Sequence, residues 1–141
     1  MSRARPIFVV EDCDEDFETV RDAARRGGVP NEIRRAASGA ECLRMLGEAA
    51  QDRHALPALL LMDLNTPNDD GREALRTIKR DPLLCAIPLV VLSTSDNPRD
   101  VMFCYANRAN AYHVKPVIHA KHLRIVDQIF GYWLTSAVLS N

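Results

Sequence analysis

The chain has 141 residues, 47% of them hydrophobic and 26% charged, with a formal net charge of −1. That length suits one domain with one substantial core, and the balance of 18 basic against 19 acidic residues gives no electrostatic case for a nucleic-acid or membrane partner. No apolar run approaches the ~18 residues a membrane span needs, and the scattered Cys13, Cys42, Cys85 and Cys104 show no zinc-type spacing, so the expectation is a cytoplasmic protein with reduced thiols.

After Pro6, the run Ile7-Phe8-Val9-Val10 reads as a buried strand, and it stops on Glu11-Asp12-Cys13-Asp14. From Asp14 onward Phe17, Val20 and Ala24 recur at helical spacing until Gly27-Gly28, with Pro30 just beyond. Asn31 to Ala37 is a weaker strand, with Ile33 among charges as on an exposed edge. Ser38 caps the next helix, Glu41 completes a capping box, and Cys42, Leu43, Leu46 and Ala50 line the inner face. Gln51 to Pro57 is a polar connection.

The stretch Leu59-Leu60-Leu61-Met62-Asp63 is apolar without alternation and ends on a carboxylate. That pattern marks a strand buried on both faces at the centre of a parallel sheet. Asp69 and Asp70 are expected to shape the loop before Gly71, after which Ala74, Leu75 and Ile78 mark a helix ending near Asp81-Pro82. Leu89-Val90-Val91-Leu92 is a further buried strand running into Ser93-Thr94-Ser95. Val101, Met102 and Tyr105 indicate a weakly amphipathic helix up to about Asn107. Ala111-Tyr112-His113-Val114 is a brief strand closing on Lys115-Pro116. The last helix, roughly His119 to Trp133, carries one apolar stripe at Leu123, Val126, Phe130 and Trp133 and a second at Ile125, Ile129 and Tyr132. Five strands alternating with five helices imply a doubly wound α/β fold, a five-stranded parallel sheet with helices on both faces.

Glu11, Asp12, Asp63, Ser93, Thr94 and Lys115 all stand at strand ends. With the first strand beside the third, they converge on one pocket at the carboxyl edge of the sheet. Three carboxylates packed together repel, and one lysine cannot neutralise them. A divalent cation would, and all-oxygen ligands suit magnesium. A lysine and a hydroxyl at the same rim are the groups that hold phosphoryl oxygens. The chain has no phosphate-binding glycine loop for ATP or a dinucleotide, so the phosphoryl group must arrive on another carrier, and Asp63 is the natural acceptor for a mixed anhydride.

These residues resemble the response regulator family, the receiver module of two-component signalling with its flavodoxin-like fold. The match rests on the Glu11-Asp12 pair, Asp63 in Met-Asp-Leu-Asn-Thr-Pro-Asn-Asp-Asp-Gly, Ser93 thirty residues on and Lys115-Pro116 a further twenty-two. The resemblance implies that a histidine kinase phosphorylates Asp63, and that Asp12, Asp63 and the carbonyl of Asn65 bind Mg2+, with Glu11 acting through water. It assigns Ser93 as the switch hydroxyl, Lys115 as the phosphoryl partner, Tyr112 as the aromatic that follows the hydroxyl, and Asn65 with Ser95 as tuners of dephosphorylation. It also implies a cis Lys115–Pro116 peptide. Many receivers carry Asp at the Glu11 position and Thr at the Ser93 position; both changes keep the chemistry.

The sequences around Asp70-Gly71-Arg72-Glu73 and Ser93, together with the ending Tyr132-Trp133-Leu134 to Val138-Leu139, are similar to small regulators paired with bacteriophytochrome kinases. A regulator of a non-phytochrome kinase is the alternative. Residues 1–134 are read as the receiver domain and 135–141 as a tail, with no output domain and no activity beyond self-catalysed aspartyl phosphorylation and slow autodephosphorylation. A homodimer is expected through Ile125, Ile129, Tyr132, Trp133, Leu134, Val138 and Leu139, since monomers seldom leave such a patch bare; the competing outcome is a tail folded back on its own domain. His119 and His122 are expected on an exposed helix face. Two further alternatives are a haloacid-dehalogenase-like phosphatase, which needs an acid where Asn65 stands, and a receiver kept only for binding.

Overall fold

The computed structural model describes residues 4–66 and 70–140. Asp69 lies outside them. Five parallel strands, β1 (Ile7–Val10), β2 (Ile33–Ala36), β3 (Leu59–Met62), β4 (Leu89–Ser93) and β5 (Ala111–Val114), form one sheet in the order β2-β1-β3-β4-β5. The helices are α1 (Asp14–Arg26), α2 (Gly39–Ala49), α3 (Gly71–Arg80), α4 (Pro98–Ala106) and α5 (His119–Gly131). The expected doubly wound fold is therefore the fold observed. Strand order reverses between β1 and β3, and such a switch point opens a crevice at the carboxyl ends of those strands.

The strands divide their side chains between two cores. Phe8, Val10, Leu60, Met62, Leu89 and Val91 face α2 and α3, with Cys104 of α4 joining them. Ile7, Val9, Leu59, Leu61, Val90 and Leu92 face α1 and α5. Every residue of β1, β3 and β4 is buried, which is why those segments read as continuous apolar runs. The edges differ as edges do: Arg34 of β2 is exposed and stacks over the Phe8 ring at 5.3 Å. On β5, Ala111 to His113 are only half-buried.

The N-terminus of α2 is held by more than its cap. Ser38 Oγ accepts the Glu41 N–H at 3.1 Å, while the Glu41 carboxylate accepts the N–H of Ala37 at 3.4 Å instead of completing the box on Ser38. Asp70 crosses from the loop before α3, and its two carboxylate oxygens each accept one N–H, from Gly39 and Ala40, at 2.8 Å. Against burial, these amides and the Thr66 hydroxyl, which donates to Oδ1 at 2.8 Å, hold the Asp70 carboxyl below the usual carboxylate range. A Cβ on Gly39 would stand 2.6 Å from the Asp70 carbonyl oxygen, and one on Gly71 2.8 Å from that of Leu64. Both positions need glycine for space.

Lys79 is a second tertiary tie. It is buried, and its ammonium donates to the carbonyls of Cys85 and Ile87 at 3.1 Å and to Asn110 Oδ1 at 2.9 Å. Asn110 Oδ1 also accepts the Leu89 N–H, so one cation joins α3, the entry to β4 and the entry to β5.

Much of the apolar surface of the C-terminal region packs on its own domain. In the second stripe of α5, Ile129 is buried and Ile125 packs on the α1/α5 core, as do Trp133 and Leu134. Tyr132, the third residue of that stripe, stays exposed. Beyond α5 the chain makes a π-helical turn, Tyr132–Ser136, which shifts the following residues off the α-helical register. Arg5 then donates to the Ser140 carbonyl at 2.8 Å while also bonding those of Leu56 and Pro57. The end of the tail thus lies on its own domain. Of the expected dimer residues, Tyr132 and Val138 remain exposed.

Replacing Gly39 by alanine is expected to cost about 1–3 kcal/mol, as overpacking does, because the new methyl displaces Asp70 from the α2 N-terminus. The urea midpoint of the variant measures this.

Candidate functional site

The switch-point crevice gathers the strand-end residues. Glu11 directly follows β1 and its N–H bonds the Ala36 carbonyl; Asp63 directly follows β3 and its N–H bonds the Val10 carbonyl. Ser93 ends β4, and its carbonyl accepts the Lys115 N–H at 2.6 Å. Each side chain therefore leaves a rigid strand end and not a mobile loop.

Lys115 is the centre of the charge arrangement. Its ammonium, 3% exposed, donates to Glu11 Oε1 at 2.7 Å, Asp63 Oδ2 at 2.9 Å and Asp16 Oδ2 at 2.9 Å. Burial works against the charged ammonium, but the bonds to Glu11, Asp63 and Asp16 outweigh it and raise the Lys115 pKa above its ordinary value. Glu11 goes the other way for an acid that touches a lysine. Burial and the neighbouring Asp63 charge push its carboxyl up to about 7, against the pull of Lys115 and of the Cys13 N–H. One ammonium shared among several acids leaves the most enclosed of them under-compensated.

Glu11, Asp12 and Asp63 each place a carboxylate oxygen within 4.8 Å of the others, the one such group among the described residues. Asp12 is exposed and Glu11 and Asp63 are buried, so the group has a wet side and a dry side. Hard oxygen donors with room for water suit an octahedral divalent cation. The donor set fits a divalent cation.

The remaining predicted residues surround Asp63. Asp63 Oδ1 accepts the Asn65 N–H at 2.9 Å. The Asn65 amide donates to Ser93 Oγ at 3.2 Å and Thr94 Oγ1 at 3.3 Å. Ser93 is fully buried, and its hydroxyl also accepts the Ser95 N–H at 3.2 Å. Tyr112 donates its hydroxyl to the Ser95 carbonyl at 2.8 Å. The Ser95 hydroxyl points elsewhere, donating to Asp100 Oδ2 at 2.5 Å, and Asp100 pairs with Arg72 at 2.6 Å. Those two contacts hold the Asp100 carboxyl below its ordinary range.

The expected cis Lys115–Pro116 peptide is absent, since no cis bond occurs among the described residues. Three carboxylates and the backbone bond to Ser93 already fix the ammonium, and trans is the favoured form of a prolyl bond.

The position of His122 also differs from expectation. His119 is exposed, as expected, but His122 is buried, with Nδ1 3.9 Å from Asp16 Oδ1 and Nε2 without a hydrogen-bond partner. The i, i+3 spacing could not reveal which of the two turns toward α1. Asp16 was missed for another reason. In Asp14-Glu15-Asp16 it reads as one of three acids favoured by the helix dipole in a first turn, and only the packing of α1 against the end of β5 singles it out.

A model of the response regulator receiver domain matches residues 7–127. The chain belongs to that family. Among curated relatives, this receiver is 36% identical over 91% of its length to the probable methanogenesis regulatory protein FilR2 of Methanothrix harundinacea, covering 83% of it. It is 33% identical over 94% of its length to the response regulator Rcp1 of Synechocystis sp., covering 91% of that protein. Among solved structures, that of the phosphorylated cyanobacterial phytochrome response regulator RcpA superposes with a TM-score of 0.90 at 36% identity, with 98% and 99% of the two chains covered. The Mn(2+)-bound form of Rcp1 superposes with a TM-score of 0.87 at 32% identity, covering 96% of this chain and 98% of that one. The receiver is homologous to Rcp1 and to the cyanobacterial phytochrome response regulator RcpA.

Two buried groups give metal-free stability opposite pH slopes. Burial lowers the His122 pKa despite Asp16, so its share of stability is complete above the unfolded value of ~6.5 and is lost as pH falls through the folded value. The Glu11 pKa is raised from 4.5 to about 7, so its share is complete below 4.5 and lost as pH rises through about 7. Replacing His122 by phenylalanine is expected to remove the first slope and, by deleting an unpartnered buried nitrogen, to add about 1 kcal/mol. Glu11→Gln is expected to remove the second slope. Urea unfolding of each variant from pH 4 to 8 in chelator measures both.

Proposed function

We propose that Asp63 accepts a phosphoryl group from a histidine kinase and that the receiver signals through the resulting shift of Ser93 and Tyr112. The observation that carries this reading is the Lys115 ammonium 2.9 Å from the Asp63 carboxylate, with the Glu11-Asp12 acids beside it. A carboxylate oxygen of Asp63 attacks phosphorus, the P–O bond forms, and the P–N bond to the donor histidine breaks with the electron pair leaving on the imidazole. Lys115 then bonds a phosphoryl oxygen. Asp12, Asp63 and the Asn65 carbonyl, with Glu11 acting through water, would hold Mg2+, which supplies positive charge to the phosphoryl oxygens.

Ser93 is the switch. Its hydroxyl is held by Asn65 and Ser95 in the resting arrangement, and a phosphoryl oxygen at Asp63 is a stronger, charged acceptor. Moving Ser93 disturbs Ser95, whose carbonyl holds the Tyr112 hydroxyl. Asn65, whose N–H bonds Asp63, and Ser95, whose N–H bonds Ser93, tune hydrolysis of the aspartyl phosphate in this reading, which is the only turnover proposed. An amide at position 65 cannot serve as the general acid a phosphatase of the dehalogenase type needs.

Similarity to Rcp1 and RcpA supports a bacteriophytochrome as the kinase and a cytoplasmic site of action. The comparably deep similarity to FilR2 supports a non-phytochrome kinase as the second reading. No helix among the described residues is long and apolar enough to cross a membrane. We also propose a homodimer, formed around the exposed Tyr132 and Val138.

Incubation with acetyl phosphate and Mg2+ is expected to add one phosphoryl group to the parent chain and none to Asp63→Asn, as read by intact mass; equal labelling of both would exclude Asp63. In sedimentation at increasing concentration the parent is expected to self-associate and a Tyr132→Ser, Val138→Ser double variant to do so less. A parent that stays monomeric throughout excludes the dimer.

A further inference from the structure

Lys115 has no donor to spare. An ammonium offers three N–H groups, and all three are spent on carboxylates, those of Glu11, Asp63 and Asp16. A phosphoryl group carries roughly −1.5 to −2 charges on oxygens that seek such donors, so one existing bond must be surrendered when it arrives. The three acceptors differ in what surrender costs. The Glu11 side chain is 6% exposed, and water cannot replace the ammonium there; Asp63, 9% exposed, loses its charge to the phosphoryl group and releases its own N–H, so a phosphoryl group that takes a second donor must draw it from Glu11 or Asp16. That of Asp16 is 30% exposed, in the first turn of α1, and it lines an open cavity with Thr19, Pro116 and His119. His122, its neighbour on the inner side, stands beyond hydrogen-bond reach at 3.9 Å. Asp16 is the partner that solvent can take over.

We propose that Asp16 is a positioning residue: it occupies, in the resting receiver, the Lys115 proton that a phosphoryl oxygen needs, and thereby sets how tightly the site takes up a phosphoryl group. The proposal rests on the reading of Asp63 as phosphoacceptor. The Asp16 charge has two opposed consequences. It competes with and repels an arriving anion, while it adds to the negative potential that draws in a divalent cation. A residue that only braced α1 against β5 would weaken both ligands together when lost.

The test uses the full chain and beryllofluoride, a non-covalent stand-in for the phosphoryl group, titrated at saturating Mg2+ and followed by fluorine NMR. Mg2+ alone is titrated separately by calorimetry. Asp16→Asn and Asp16→Ala are expected to bind beryllofluoride about tenfold more tightly, the scale of one unit charge removed at ~6 Å in a partly wet site. The same variants are expected to bind Mg2+ about threefold more weakly, since Asp16 is not among the three acids that would hold the cation and acts on it only through its charge. Asp16→Glu is expected to return both affinities toward the parent. Unchanged or weaker beryllofluoride binding in both folded variants overturns the proposal, as does a parallel weakening of both ligands. If the parent chain binds no beryllofluoride and Asp63 takes no phosphoryl group from acetyl phosphate, the phosphoacceptor reading has failed and this proposal falls with it. Binding by the parent with no shift in the variants rejects the role of Asp16 alone.

Discussion

One ammonium stands among four acids at the carboxyl edge of this sheet, and the rest of the site is arranged around that shortage of positive charge. Lys115 satisfies one oxygen each of Glu11, Asp63 and Asp16, and Asp12 stands exposed beside them. Isolated burial of any one of these carboxylates would be prohibitive, and even together they leave Glu11 with a raised pKa. A site in that condition gains from a divalent cation, and with the cation in place it can accept an anionic group that the bare acids would repel.

The scaffold keeps the imbalance in place by rigidity. Glu11, Asp63 and Ser93 emerge from the three most buried strands, and their backbone bonds run to Ala36, Val10 and Lys115. Displacing any of them would disturb two fully packed cores. On the other side of Asp63, Ser93, Asn65, Ser95 and Tyr112 form a chain of single hydrogen bonds. A chain of that kind can rearrange without unpacking the sheet. Asp100 and Arg72 connect it to α4 and α3, so a change at Ser93 reaches two helices within a few bonds.

The ties farthest from the signalling chemistry follow the same logic of solving a local deficit with a distant group. Asp70 supplies the α2 N-terminus with acceptors that Ser38 alone cannot provide, and Gly39 is small because Asp70 must come close. Lys79 is a buried cation answered by two carbonyls and an amide. Arg5 gathers three carbonyls from two places in the chain, including the tail.

The order of strands and helices, the two-faced burial of β1, β3 and β4, and the acids at their ends were legible in the linear chain, because burial on both faces leaves uninterrupted apolar runs and a parallel sheet ends every strand on the same side. The weak α4 pattern located the helix but not its buried face, since Met102 and Tyr105 are exposed and Cys104 is the one buried residue of that helix. Whether the second stripe of α5 was spare, which way His122 turned, and that Asp16 rather than Asp14 or Glu15 meets Lys115 were decided only in three dimensions. Lys79 with Asn110 and Gly39 with Asp70 are each 31 residues apart, and Asp16 is 99 from Lys115. Periodicity and capping record what a segment does with its own neighbours. Which distant group meets a buried charge is set by how the sheet is wound and how helices lie across it, and no local pattern carries that information.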